Sequence, residues 1–129
     1  EFDIIKTHTT IGASLLREIE QFQCILPIVR GHHEKLDGTG YFDKLSGDHI
    51  SLEVRIVSAS DVLDALTSTR PYRRGSLPDE AFQIIDDVVG THLDTQVVGA
   101  LKQMHKDNRL LDLLQGDSEK AAGPAPYRF

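Results

Sequence analysis

Apolar residues recur at three- and four-residue steps along most of this chain, and that spacing restricts it to amphipathic helices packed stripe against stripe. Ile4, Ile5, Ile11, Leu15, Ile19 and Phe22 form the first series, which predicts a helix from near the chain start to about Phe22. The helix opens at Glu1-Phe2-Asp3 without a clear cap, the pattern expected where a chain has been cut just before or inside a helix. Ile25, Ile28, Val29, His32 and His33 follow the i, i+3, i+4, i+7, i+8 rule and predict a second, short helix with both histidines on its buried face. Pro27 suits its first turn, where a missing N–H costs little.

Residues 35–50 carry Gly38, Gly40 and Gly47 with Asp37, Asp43 and Asp48 and show no apolar period, so they form a long loop of the kind that carries function. Ser51 is placed to cap a third helix with two adjoining stripes, one of Leu52, Ile56, Ala59, Leu63 and Leu66, the other of Val54, Val57, Asp61 and Ala65. Residues 69–75 make a basic break. A fourth helix is predicted from about Pro78 to Val89, with Ser76 near its cap and Gly90 past its end, and a fifth after Asp94 with Val97, Val98, Leu101 and Met104 inward. Leu110, Leu111, Leu113 and Leu114 add a turn or two. The chain is thus expected to be an all-α bundle of about five helices, truncated at its N-terminus, with one domain over residues 1–115 and a flexible tail over 116–129.

A formal charge of -6, from 20 acidic and 14 basic residues, argues against binding nucleic-acid polymers or a membrane surface. The single cysteine, Cys24, cannot form an internal disulfide, and no apolar run approaches the roughly 20 residues that cross a bilayer, so a cytoplasmic setting is expected.

Polar residues interrupt these stripes. His8 is in line with Ile11 and Leu15, His32 and His33 with Ile25 and Val29, and Asp61 with Val54 and Val57. A buried polar group without a partner costs on the order of 1 to 3 kcal/mol, and one shared metal would satisfy several at once. Imidazoles with a carboxylate suit Fe, Mn, Ni or Zn, whereas a structural zinc finger needs a cysteine cluster. Adjacent residues on an undistorted helix point about 100° apart, so His32 and His33 are expected to serve two or more ions. Such a site suits phosphodiester cleavage.

The run HHEKLDGTGY at residues 32–41 resembles the HD-GYP family signature HHExxDGxGYP. Residues 4–13 resemble that family's helix with a metal-binding histidine, residues 55–74 its ADxFDALTSxRPYR stretch, and residues 90–94 its GTHFDP stretch. The resemblance implies an HD-type helical bundle, Fe or Mn in a two- or three-metal centre, hydrolysis of cyclic-di-GMP to pGpG or GMP, and His8, His32, His33 and Asp61 as metal ligands. It also implies Arg70, Arg73, Arg74 and Tyr41 as substrate contacts, with Asp37, Gly38 and Gly40 shaping the signature loop, and a diguanylate cyclase or other signalling domain as a partner.

Two departures bear on function. No histidine here is followed directly by aspartate, so the family's namesake doublet is missing and the ligand set is incomplete; the chain alone is expected to be inactive. Phe42 replaces the signature proline, which frees φ and adds an aromatic to the loop. The alternative reading is a non-catalytic module that binds cyclic-di-GMP or a partner protein. Apolar surface left uncovered makes homodimerisation a further expectation.

Overall fold

The computed structural model describes residues 6–69 and 74–110. Among them are five α-helices: α1 His8–Leu16, α2 Leu26–Gly31, α3 Leu52–Thr67, α4 Pro78–Asp86 and α5 Thr95–Lys106. Two 3-10 turns, Glu20–Ile25 and Gly47–His49, join them, and the isolated parallel bridge Val89–Leu93 is the nearest approach to a sheet among the described residues. The all-α expectation stands. The chain divides into two compact units, residues 1–98 and 99–129. Residues 111–129, with most of the leucine cluster and the expected tail, lie outside the described residues.

Within residues 1–98, α1 packs on α2, α2 on α3 and α3 on α4. The core between them is Ala13, Ile50, Val54, Ala59, Leu63, Ala81, Phe82 and Ile85, joined by Leu93, Val97 and Val98. Each fully buried Val, Leu, Ile or Phe contributes about 1.5 to 3 kcal/mol. In the second unit α5 ends in a turn at Asp107 and Asn108, where Asn108 takes a left-handed φ of 58° and the Gln103 amide donates to Asp107 at 3.0 Å.

Several boundaries differ from the periodic reading. The first helix stops at Leu16, because Ile19 adopts extended backbone (φ -103°, ψ 110°) and Glu20–Ile25 tightens into a 3-10 turn. The Gln23 side-chain amide donates to the Arg17 carbonyl across that corner. The stripe that predicted a longer helix is not its buried face: Ile11 and Leu15 are 55% and 72% exposed, whereas Thr9 and Ala13 are buried. The second helix ends at Gly31, so His32 is its C-cap and His33 lies beyond it. On α3, Leu52, Ile56 and Asp61 face outward and Val54, Ser58, Ala59 and Leu63 inward. Ser51 does precede this helix, but its hydroxyl bonds no helix amide; it bonds Glu53, whose carboxyl is lowered first by its own backbone N–H and then by Ser51.

The fourth helix starts where expected but ends at Asp86. Its cap is Leu77 rather than Ser76, with the Glu80 carboxylate reaching back to the Leu77 N–H at 3.2 Å. Beyond it the Val88 carbonyl accepts the amides of Thr91, His92 and Leu93, a turn that Gly90 permits with φ of +81°.

Asp94 caps α5 as expected: its Oδ1 accepts the amides of Gln96 and Val97 at 2.8 and 3.1 Å, and its Oδ2 takes Arg55 at 3.0 Å. Arg55 also donates to the carbonyls of Ile50 and Gly47, so one guanidinium ties the end of the long loop to this cap. The Val97 amide, more than Arg55, holds the Asp94 carboxyl below its ordinary value. A depressed folded pKa contributes stability that is present above the unfolded value and is lost as pH falls through the folded one. Asp94→Ala is therefore expected to cost about 1 to 2 kcal/mol at pH 7 and less near pH 3, as read by urea unfolding at both.

Candidate metal centre

His8 stands at the start of α1, and His32 and His33 follow the end of α2. One nitrogen from each of the three lies within 4.8 Å of the others. His8 Nε2 is 3.4 Å from His32 Nε2, and the ring centroids are 4.1 to 5.4 Å apart. The expectation that adjacent histidines must point 100° apart fails for a local reason. The α2 helix ends at Gly31, the Glu34 amide returns to the Gly31 carbonyl at 2.8 Å, and this turn lets both rings face the same side.

The expected burial of these residues also fails. His8 and Asp61 are exposed and the other two histidines half-buried: the stripe of His8 with Ile11 and Leu15 faces outward, whereas Asp61 is exposed although Val54, in line with it, is buried. The cluster sits at an open edge of the bundle.

The His32 ring is oriented by its own helix. A carbonyl can only accept, so the 3.0 Å contact of Nδ1 with the Val29 carbonyl makes Nδ1 the donor and leaves the Nε2 lone pair facing the cluster. The Ser58 hydroxyl donates to the His32 carbonyl at 2.5 Å and holds this turn on α3. Partial burial, then the neighbouring His32, push the His33 pKa below 6.5, against an opposing pull from Asp61. Asp61 falls outside the three-nitrogen group, yet it acts on His33 and, after burial itself, raises the Tyr41 phenol. The Tyr41 ring lies against His33 at 4.9 Å and 31°, with the Lys6 ammonium 5.9 Å from its centroid.

The signature loop wraps around Glu34. Asp37 accepts the amide and hydroxyl of Thr39 at 2.9 and 2.7 Å, and these bonds, the hydroxyl first, lower its carboxyl. Gly38 takes φ of +78°, and the Tyr41–Phe42 peptide is cis. Phe42 is exposed with the Arg30 guanidinium 5.4 Å from its ring. Arg70 and Arg73 lie outside the described residues; Arg74 is exposed on the approach to α4. His92 is half-buried, 3.6 Å from Asp37, and its carbonyl accepts the Leu36 amide at 3.3 Å. The GTHLD run at residues 90–94 was the sign of it. A cleft of about 290 Å³ opens beside the cluster, lined by His32, His33, Val62, Leu66, Ile84 and Val88 among others.

Fold and site together define an all-α domain built around a histidine cluster at helix ends. The chain belongs to the HD domain family, whose profile matches residues 1–97, and its likeness is to the HD-GYP type. It is 36% identical over 103 residues, 80% of this chain, to a Vibrio cholerae protein named 3'3'-cGAMP-specific phosphodiesterase 3. It is 40% identical over 103 residues, 78% of this chain, to the cyclic di-GMP phosphodiesterase response regulator RpfG of Xanthomonas campestris. The chain spans 22% and 27% of the length of those two relatives. A crystal structure of a cyclic GMP-AMP specific phosphodiesterase from Vibrio cholerae shares the fold, with a TM-score of 0.74 over 96% of this chain and 29% of that one at 24% identity.

Proposed function

We propose that this chain is the part of a metal-dependent cyclic-dinucleotide phosphodiesterase that supplies His8, His32, His33 and Asp61 to the metal centre, with cyclic-di-GMP as substrate. One observation carries the reading: three imidazole nitrogens within 4.8 Å of one another, of which the His32 pair is sorted into donor and ligand by the Val29 carbonyl. Such donors fit Fe or Mn, and the lowered His33 pKa keeps that imidazole neutral, as a ligand must be, at neutral pH. When bound, the ions supply an activated water and stabilise charge on the attacked phosphate.

The residues of this chain orient and bind. Asp61, which acts electrostatically on His33, adds a carboxylate of the kind that divalent ions take, Tyr41 offers a ring face and a hydroxyl beside His33, and Arg70, Arg73 and Arg74 supply guanidinium groups suited to phosphate. A second substrate, 3'3'-cGAMP, is favoured by the 36% identity to a phosphodiesterase named for it.

The His-Asp doublet is absent from these 129 residues, so the isolated chain is expected to bind Mn²⁺ weakly and release little or no pGpG or GMP. The gene product that carries it is expected to hydrolyse cyclic-di-GMP with Mn²⁺ or Fe²⁺, assayed by chromatography of the products with 3'3'-cGAMP alongside. Binding of either dinucleotide without hydrolysis by that gene product would replace this reading with a non-catalytic binding module.

A further inference from the structure

We infer that Glu34 is a positioning residue: its buried carboxylate holds the loop that carries Tyr41 over His33, and so governs how substrate is held beside the histidine cluster. The inference rests on the hydrolysis proposed above and extends it to a residue that is not a metal ligand in that reading.

Glu34 is 3% exposed. Its Oε1 accepts the amide of Asp43 at 2.7 Å and its Oε2 the amide of Leu45 at 3.0 Å, across nine and eleven residues of loop. Both oxygens therefore act as acceptors. The loop is pinned a second time at the same place, because the Arg30 guanidinium grips the Asp43 carboxylate through two bonds of 2.6 and 2.7 Å. These bonds to Asp43 raise the Arg30 pKa, and Glu34 adds to the effect, so the same cation balances both carboxylates.

Between these anchors and the histidines the chain has no slack. Gly40 passes so close to Glu34 and Lys35 that no Cβ fits, the Tyr41 amide reaches the His33 carbonyl at 3.3 Å, and the Tyr41 ring comes to rest on His33. Releasing the Glu34 end frees residues 41–45 and with them the ring. The His32 imidazole is held by another bond, from its Nδ1 to the Val29 carbonyl, and its backbone by the Ser58 hydroxyl, neither of which involves Glu34.

Glu34→Gln preserves length and volume but replaces one acceptor with an amide NH₂ that meets a backbone N–H head-on. In the gene product that carries this chain, amide exchange at Asp43 and Leu45 is expected to accelerate by roughly tenfold or more, the rate ratio for one lost buried hydrogen bond. KM for cyclic-di-GMP is expected to rise about tenfold with kcat within about threefold, the signature of lost binding rather than lost chemistry, while bound Mn²⁺ is unchanged. Arg30→Gln, which loosens the loop at its exposed anchor, is expected to act in the same direction by about threefold and decides the question should Glu34→Gln fail to fold. Unchanged exchange, unchanged KM, or a loss of Mn²⁺ in step with activity overturns the inference. Absence of hydrolysis by the wild-type protein, with exchange still accelerated in Glu34→Gln, overturns the proposed function and leaves the clamp standing.

Discussion

Replacing His33 by alanine is expected to weaken Mn²⁺ binding by the gene product that carries this chain by roughly 100-fold or more, and to reduce hydrolysis at least in proportion. Loss of an outer-shell partner alone costs about 10- to 100-fold, and a direct ligand costs more. His33 is central to the cluster, its ring lying 4.1 Å from His32, 5.1 Å from His8 and 4.9 Å from Tyr41. Its lowered pKa gives the test a second arm. A histidine whose folded pKa lies below 6.5 binds fewer protons folded than unfolded, so its contribution to stability is full above 6.5 and declines as pH falls toward the folded value. In His33→Ala this acid-side decline should shrink while stability at pH 8 changes little. Titration calorimetry at pH 7.5 and urea unfolding from pH 8 to 5 measure the two arms; Mn²⁺ affinity equal to wild type would remove His33 from the ligand set.

The elements were legible where tertiary packing agreed with periodicity and obscure where it did not. Pro27, Asp94 and the Gly-rich stretch of residues 35–50 act locally, through a missing N–H, a capping carboxylate and backbone freedom, and the structure places them as their chemistry requires. The stripe Ile11, Leu15, Ile19 and Phe22 misled because a 3.6-residue period marks an apolar face without saying that anything covers it, and here that face is open. That open face also carries His8, which is exposed. The pairing of His32 with His33 was legible as chemistry, yet its geometry depended on α2 ending at Gly31 rather than two residues later, a boundary set by turn hydrogen bonds that periodicity does not encode. Arg55 escaped notice altogether. Its role comes from meeting Ile50, Gly47 and Asp94 at once, and such long-range convergence leaves no local mark in a sequence.

Gly40→Ala is expected to destabilise the protein by about 3 kcal/mol, more than either Gly38→Ala or Gly47→Ala, and the order of the three separates two physical causes. A Cβ at Gly40 would stand 2.5 Å from the Glu34 Cα and the Lys35 nitrogen and 2.7 Å from the Glu34 carbonyl carbon. These are backbone atoms of the turn that aims His33, so they cannot swing aside as a side-chain tip would. Gly38 has φ of +78° with the nearest atom, the Ser46 Cβ, at 3.3 Å, and Gly47 has φ of +48° with nothing within 4 Å. Alanine at those two sites meets chiefly the left-handed penalty of about 1 to 2 kcal/mol. Thermal unfolding of the three variants ranks them: Gly40→Ala is expected to fall by about 10 °C or more and the others by less. Because the Gly40 clash pushes directly on Glu34 and Lys35, that variant should also lose Mn²⁺ affinity, whereas Gly47→Ala, in the Gly47–His49 turn near the far end of the loop, should retain it. Equal destabilisation of all three would mean that backbone φ, and not the close passage of Gly40 over Glu34, is what demands glycine in this loop.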